Sequence, residues 1–140
     1  MTKQLFNSGW SFALKKIGEK PEAGDYRPVD IPHDWLIHNT HALYADGDGC
    51  YKKIFTVNEV EGRVYILRFD GVYMDSEILL NGEKIFEWKY GYTTFDVELK
   101  SLREGENVIE VIVHHKSPNT RWYSGAGIFR NVWLTVSGED

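Results

Sequence analysis

Two aspartates flanked by glycines, Asp46-Gly47-Asp48-Gly49, are the first residues whose types suit proton transfer. Two neighbouring carboxyl groups act as acid and base only when a partly apolar pocket raises the pKa of one of them. A polar stretch with interleaved glycines provides no such pocket, and it lacks the spaced ligands and closing glutamate of a calcium loop. Residue preferences therefore predict a flexible turn, with contact to a polar ligand as the alternative.

The five histidines fall into two groups, with His33, His38 and His41 in one segment and His114-His115 at the end of a predicted strand. Neutral imidazoles bind zinc, but these spacings match no common ligand set and no cysteine supports them. Adjacent strand residues point to opposite faces of a sheet, so His114 and His115 cannot chelate one ion together. No metal site is predicted, and His33 is expected to form a hydrogen bond with Asp34 that locks their segment.

A nucleophilic serine is excluded at Ser124, although glycines follow it. The turn that exposes such a serine needs a glycine two residues earlier and a helix directly afterwards. Trp122 occupies the earlier position, and no helix pattern follows. We therefore predict no nucleophilic catalysis by this segment.

Aromatic side chains are abundant, since five Trp, eight Tyr and seven Phe make up 14% of the chain. Trp122 and Tyr123 stand beside Asn119 and Arg121 in one long segment. Aromatic faces pack against the apolar C–H faces of sugar rings, while Arg, Asn and Asp side chains form hydrogen bonds with the hydroxyl groups. This composition is typical of a carbohydrate site. It is equally typical of aromatic rings that lie in a core or an interface, where most large rings are found.

Charge and length exclude several classes of protein. The 140 residues include 16 Lys+Arg and 21 Asp+Glu, and the net charge of -5 argues against a nucleic-acid binder or an anionic-membrane binder. Cys50 is the single cysteine, so neither an internal disulfide nor a thiolate zinc site can form. No apolar run approaches the roughly 20 residues of a spanning helix, and the first residues lack the apolar stretch of a secretory signal. The absence of a signal and the unpaired Cys50 predict a cytoplasmic protein. No cofactor is predicted.

Alternation of apolar and polar residues with a period of two dominates the chain and indicates strands rather than helices. About nine short strands at intervals of roughly 8–12 residues predict an all-β fold, a sandwich or jelly roll. Asn81-Gly82 predicts a type I′ hairpin turn, because both residues tolerate positive φ. The clearest strands lie over 10–14, 51–57, 63–69, 76–80, 84–88, 93–99, 109–113 and 132–136.

Two long segments without a strand pattern, 18–49 and 116–129, interrupt this series. Segments of that length in a compact domain are uncommon unless they have a function or pack on a neighbour. The ends, 1–3 and 137–140, are predicted to be exposed tails. The chain is expected to form one domain over 1–140, with its ordered part over about 4–136.

A series of short blocks adds a more specific signal. In chain order they are Ile31-Pro32-His33-Asp34-Trp35, Gly49-Cys50-Tyr51-Lys52-Lys53-Ile54-Phe55, Leu67-Arg68-Phe69-Asp70-Gly71-Val72, Asn81-Gly82, Gly91-Tyr92-Thr93-Thr94-Phe95-Asp96, Gly105-Glu106-Asn107-Val108-Ile109, and the longest, Asn119-Thr120-Arg121-Trp122-Tyr123-Ser124-Gly125-Ala126-Gly127-Ile128-Phe129-Arg130-Asn131-Val132-Trp133-Leu134. The series resembles the N-terminal sugar-binding domain of glycoside hydrolase family 2, most of all that of the β-galactosidases. The resemblance implies a jelly-roll β-sandwich of the galactose-binding-domain type.

The resemblance also implies how the chemistry is divided. In this family the two catalytic glutamates lie in a later TIM-barrel domain, which follows an immunoglobulin-like domain. Neither fits within 140 residues, so the chain is expected to be excised from a larger enzyme and not to hydrolyse a glycoside alone. Its expected role is to position a galactoside-like substrate for hydrolysis of the O-glycosidic bond. The expected partners are this carbohydrate and the two later domains, with a homo-oligomeric parent left open.

Three substrate-binding residues follow from the resemblance: Asp46, Arg121 and Trp122. Asp46 stands in the segment that approaches the sugar in β-galactosidases, and Arg121 stands in the segment before Gly-Ile-Phe-Arg. The large β-galactosidases carry an acidic residue near this second position, whereas this chain follows the Arg-Trp-Tyr-Ser-Gly-Ala-Gly-Ile variant. Trp122 either walls the same pocket or only packs its segment. Two rival interpretations are a stand-alone carbohydrate-binding module and a purely structural sandwich that stabilises subunit contacts.

Overall fold

The computed structural model describes residues 2–15, 19–32, 47–72, 75–88, 94–115, 128 and 131–138. These residues form ten β-strands and one short 3₁₀ helix over Ala23–Asp25, and none of them belongs to an α-helix. The strands are β1 (Thr2–Leu5), β2 (Trp10–Lys15), β3 (Arg27–Val29), β4 (Gly47–Val57), β5 (Arg63–Phe69), β6 (Asp75–Leu80), β7 (Glu83–Trp88), β8 (Phe95–Glu98), β9 (Gly105–His115) and β10 (Val132–Gly138). The all-β prediction is confirmed.

The strands form two antiparallel sheets that face each other across one core. A four-stranded sheet has the order β1-β10-β5-β8, and a six-stranded sheet has the order β3-β2-β4-β9-β6-β7. Neighbouring strands are mostly distant in sequence, because the chain crosses repeatedly between the two sheets. This arrangement is the predicted jelly-roll β-sandwich, with its longest strands, β4 and β9, paired at the centre of the larger sheet.

Two strands lie where the sequence pattern predicted none. β1 includes Thr2 and Lys3 from a predicted tail, and all four of its residues are exposed, so it carries no alternating signal. β3 lies inside the segment predicted to be irregular, and it has only three residues. Its Pro28 lacks an amide proton, which suits the edge of a sheet but hides the strand in the sequence. At the other end, Ser137 and Gly138 extend β10 and pair with β5.

The core is built by the predicted alternation. On β9, Ile109, Val111 and Val113 are completely buried, and on β8 the buried Phe95 and Val97 alternate with exposed residues. Aromatic and aliphatic side chains from both sheets join them in one cluster, which includes Trp10, Phe12, Tyr51, Leu67, Phe69 and Ile78. Each large side chain of this kind stabilises the fold by about 1.5–3 kcal/mol when it is buried. The core therefore fixes the relative position of the two sheets.

The predicted type I′ turn joins β6 and β7. Asn81 and Gly82 both have positive φ, 51° and 87°, and the flanking Leu80 and Glu83 are paired. The Asn81 side chain also ties the turn to β9, because its Oδ1 accepts a hydrogen bond from the backbone N of Val108 at 2.8 Å. The turn is thus set both by backbone preference and by a contact with the neighbouring strand.

Candidate functional site

The three predicted substrate-binding residues, Asp46, Arg121 and Trp122, lie outside the described residues. The same is true of His33, Asp34, His38 and His41, and of the side chain of His115. The structure does describe the two strand ends from which the predicted segments continue. Asp46 is covalently followed by Gly47 at the start of β4, and the segment that contains Arg121 and Trp122 follows His115 at the end of β9.

These two strand ends are neighbours in the sheet. Gly47 is the register partner of His115, and Asp48 is the partner of His114. The pairing results from the antiparallel alignment of β4 and β9 along their whole length, which places Tyr51 beside Val111 on the buried face of the sheet. The described site is therefore the end of the six-stranded sheet at which β4 begins and β9 ends.

Asp48 corrects the prediction of a flexible Asp-Gly turn. It lies within β4 and is only 4% exposed. The glycines on either side of it are also in the strand, because Gly49 pairs with both β2 and β9 and Gly47 pairs with β9. A carboxylate with so little solvent requires hydrogen-bond donors to balance its lost hydration. Asp48 is consequently a fixed charge in the sheet.

His114 is one partner of the Asp48 carboxylate. Its Nδ1 lies 2.7 Å from Oδ1 of Asp48, and its Nε2 lies 2.6 Å from Oε2 of Glu77 on β6. A neutral imidazole carries only one N–H, so two carboxylate acceptors are both satisfied only by the imidazolium form. We name these three residues the Asp48–His114–Glu77 cluster. It joins three adjacent strands of the six-stranded sheet.

The cluster holds His114 in its charged form. Burial disfavours the charge, but the hydrogen bonds to Asp48 and Glu77, together with their negative charges, outweigh that cost and raise the pKa of His114 above 6.5. Both ring nitrogens are engaged by carboxylates, so neither offers a lone pair to a substrate proton or to a metal ion. His114 is therefore a structural cation rather than a catalytic base.

Charged side chains continue on both sides of the cluster. Lys84 Nζ on β7 lies 3.6 Å from Oε1 of Glu77 and also 3.6 Å from Oε1 of Glu87. On the other side, Lys15 is the register partner of Asp48 on β2, and its Nζ lies 3.3 Å from Oδ2 of Asp25. Exposed ion pairs of this kind contribute little to stability individually. Their arrangement gives this end of the sheet a row of alternating charges with the buried Asp48 near its middle.

Cys50 lies two residues along β4 from Asp48. Its side chain is buried, and its Sγ is 4.0 Å from the carbonyl oxygen of Asp48. Burial raises the pKa of the Cys50 thiol to about 12, with smaller effects from the negative charges of Asp48 and Glu110. Nucleophilic and redox chemistry require the thiolate, so Cys50 is inert in the folded chain.

The described aromatic residues mostly occupy the core. Trp10 and Phe12 are 1% exposed, and Nε1 of Trp10 donates a hydrogen bond to the carbonyl of Phe6 at 2.7 Å. Tyr26 is half-buried at the surface, but the Lys52 ammonium covers its ring at 5.0 Å from the centroid. The core interpretation is therefore correct for Trp10 and Phe12, whereas Trp122 lies outside the described residues.

Within the described part of the chain, no three His, Cys, Asp or Glu side chains are grouped so that they could hold a metal ion. No helix in that part has the length and apolar content to span a membrane.

Glu77 is the member of the cluster that the sequence pattern did not indicate. Its position in the predicted strand 76–80 marks it only as an outward-facing polar residue. Its contact with His114 depends on β6 pairing with β9, and β9 with β4. The sequence does place His114, Asp48 and Glu77 at outward positions of three strands. Their contact can be predicted only when the order of those strands in the sheet is known.

Comparison with known proteins places the chain in a family. Residues 19–137 match the family model described as "Glycosyl hydrolases family 2, sugar binding domain". A β-galactosidase from Bacteroides ovatus is 36% identical over 95% of this chain and 18% of its own length. A β-glucuronidase from Bacteroides fragilis is 33% identical over 96% of this chain and 21% of its own length.

Solved structures give the same result. A glycosyl hydrolase family 2 member from Bacteroides cellulosilyticus superposes with a TM-score of 0.87 at 31% identity, over 99% of this chain and 21% of that chain. A β-glycosidase from Bacteroides vulgatus superposes with a TM-score of 0.86 at 32% identity, over 99% and 20% respectively. The chain thus spans about a fifth of the length of these relatives. The predicted family is confirmed: the chain belongs to the sugar-binding domain of the family 2 glycosyl hydrolases.

Proposed function

We propose that this chain positions the sugar of a galactoside-like substrate through Asp46, Arg121 and Trp122, and that an immunoglobulin-like domain and a TIM barrel outside these 140 residues complete the enzyme. The barrel hydrolyses the O-glycosidic bond. The relatives support the substrate class, because they include proteins named β-galactosidase and β-glucuronidase. The longer lengths of those relatives are consistent with catalytic domains elsewhere.

The observation that carries this proposal is the pairing of Gly47 with His115. It joins the residue that follows Asp46 to the residue that precedes the segment with Arg121 and Trp122. Two segments that continue from one rigid sheet end can hold a sugar accurately against catalytic groups supplied by another domain. Such positioning lowers the entropic part of the reaction barrier.

A titration of the 140-residue chain with galactose, lactose and glucuronate tests the proposal. The pocket is completed by other domains, so we expect only millimolar dissociation constants for the isolated chain. Asp46→Ala and Arg121→Ala should each weaken binding severalfold, since each removes a hydrogen bond to a charged group. Asp30→Ala and Arg27→Ala, at exposed positions, are matched controls that should leave the dissociation constant unchanged.

Two outcomes would contradict the proposal in different ways. A micromolar dissociation constant would favour a stand-alone carbohydrate-binding module, because the pocket would then be complete within this chain. Absence of sugar binding, or binding unaffected by Asp46→Ala and Arg121→Ala, would favour a purely structural sandwich. Nuclear magnetic resonance is suited to this range of affinities and reports the affected residues directly.

A further inference from the structure

The described residues contain one group of buried and half-buried charges that joins three strands, the Asp48–His114–Glu77 cluster. It lies at the end of the sheet at which β4 begins and β9 ends. Side-chain exposure rises outward from 6% for Asp48 to 26% for Glu77 and 33% for His114. The cluster therefore has one buried charge and two charges that water can reach.

Other described ion pairs differ from this cluster. Arg68 and Asp96 form a cross-strand pair at 2.9 Å on the four-stranded sheet, but both side chains are about half-exposed. Lys15 and Asp25 form an exposed pair between β2 and the 3₁₀ helix. Neither pair involves a buried carboxylate or bridges two acids with one cation. Lys84 also contacts two acids, Glu77 and Glu87, but neither of these is buried. Among these ion pairs, the arrangement around His114 is distinguished by the buried carboxylate of Asp48.

We propose that the Asp48–His114–Glu77 cluster is a charged clamp that fixes the separation of β4, β9 and β6 at this end, and that His114 is thereby a positioning residue for sugar binding. The second half of this proposal rests on the proposed function. His114 holds Asp48 on one side and Glu77 on the other, so its two hydrogen bonds span the three strands. Charge-assisted hydrogen bonds of this kind are short and about twice as strong as neutral ones.

The clamp depends on protonation of His114. Once the ring is neutral it has a single N–H, so it can donate a hydrogen bond to only one of the two carboxylates. Charged residues surround His114 on every neighbouring strand. They are Lys15 on β2, Asp48 on β4, Glu77 on β6, and Lys84 and Glu87 on β7. Asp75 on β6 is the register partner of His114. Acids directly contact the ring and both lysines lie beyond them, so the immediate surroundings favour the cation. The clamp should hold at mildly acidic pH and loosen as the pH rises through the pKa of His114.

Amide hydrogen exchange on the 140-residue chain tests the clamp. We compare protection at 47–49 and 113–115 with protection at 54–56 and 106–108, the opposite end of the same β4–β9 ladder. His114→Gln should lower protection about tenfold at the clamped end only, the size expected for loss of a charge-assisted hydrogen bond. Arg68→Gln, which breaks a cross-strand pair on the other sheet, is the matched control and should change neither end.

Glu77→Gln is the milder variant in case His114→Gln does not fold. Glu77 is partly exposed, and glutamine keeps its shape and an acceptor oxygen while removing its charge. It should lower protection at the clamped end severalfold. Unchanged protection at 47–49 and 113–115 in either folded variant would overturn the clamp.

The pH profile of sugar binding tests the positioning role. Galactose affinity of the wild type should fall severalfold as the pH rises through the titration of His114, and affinity of His114→Gln should be lower and independent of pH in that range. Wild-type affinity that stays constant while His114 titrates would overturn the positioning role alone. Absence of galactose binding at every pH would overturn the positioning role together with the proposed function, while the exchange measurement would still decide whether the clamp exists.

Discussion

His114 Nδ1 and Asp48 Oδ1 lie 2.7 Å apart, although the two residues are separated by 66 positions in the sequence. The contact satisfies a carboxylate that is almost completely buried, near the end of an inner strand of the six-stranded sheet. It also forces the histidine to carry a charge, because its other nitrogen faces Glu77. This hydrogen bond therefore makes the contact between β4 and β9 depend on the protonation of His114.

Stability should depend on the protonation of His114. Its pKa is raised in the folded state above the ordinary value of 6.5, so the folded chain holds a proton that the unfolded chain releases. The stabilisation is complete below about pH 6.5 and is lost as the pH rises through the folded pKa. We expect the difference in unfolding free energy between the wild type and His114→Gln to be largest near pH 6 and to shrink at higher pH.

Urea denaturation at a series of pH values measures this difference. Arg68→Gln, whose partner Asp96 lies on the other sheet, is a control that should show no such dependence between about pH 6 and 8. A His114→Gln difference that is constant across this range, or that grows as the pH rises, would contradict the assignment of the imidazolium.

Asn107 should contribute strongly to the stability of the fold, although it lies far from the proposed sugar site. It is completely buried, and its Nδ2 donates hydrogen bonds to the carbonyls of Arg103, at 2.8 Å, and Gly105, at 3.3 Å. Its Oδ1 accepts from the backbone N of Arg103 and from the Asn81 side chain. Asn107→Ala removes these four hydrogen bonds and should destabilise the fold by about 2–4 kcal/mol.

The matched control for Asn107→Ala is Asn58→Ala, at an exposed position, which should change stability by less than about 0.5 kcal/mol. Thermal unfolding of both variants gives the comparison. Similar midpoints for the two variants would show that the hydrogen bonds of Asn107 contribute nothing specific.

Gly82 and Gly24 offer a test of the hairpin turn. A Cβ at either position meets no atom within 4 Å, but only Gly82 has positive φ, at 87°. Gly82→Ala should therefore destabilise the chain by about 1–2 kcal/mol through backbone strain alone. Gly24→Ala should be close to neutral by the same denaturation measurement. Equal effects of the two substitutions would count against the I′ turn.

Cys50 should be unreactive until the chain unfolds. A rise of the thiol pKa from 9.0 to about 12 lowers the thiolate fraction at pH 8 by on the order of a thousandfold. We expect alkylation by iodoacetamide to be slower than that of a free cysteine peptide by at least that factor, because burial also limits access. The same reagent in concentrated urea is the control, and fast labelling of the folded chain would contradict the buried position.

Local patterns predicted most of the fold. Apolar residues with a period of two predicted β8 and β9, and the Asn81-Gly82 pair predicted the turn between β6 and β7, because both signals act between residues that are close in the sequence. β1 was not predicted, because all of its side chains are exposed and only its pairing with β10 defines it. β3 was not predicted, because three residues with an edge proline leave no alternating pattern.

The sequence alone determined that this chain is an all-β domain. Its series of short motifs, in the family's order, identified the family and predicted Asp46, Arg121 and Trp122 as substrate-binding residues. Only the tertiary structure decided that Asp48 is a buried strand residue and that His114 joins it to Glu77. The physical reason is that alternation and turn preference are local, whereas a hydrogen bond across strands depends on their order and register. Hydrophobic burial over the whole sandwich sets that register, because a slip of one residue would turn the apolar face of β9 toward water.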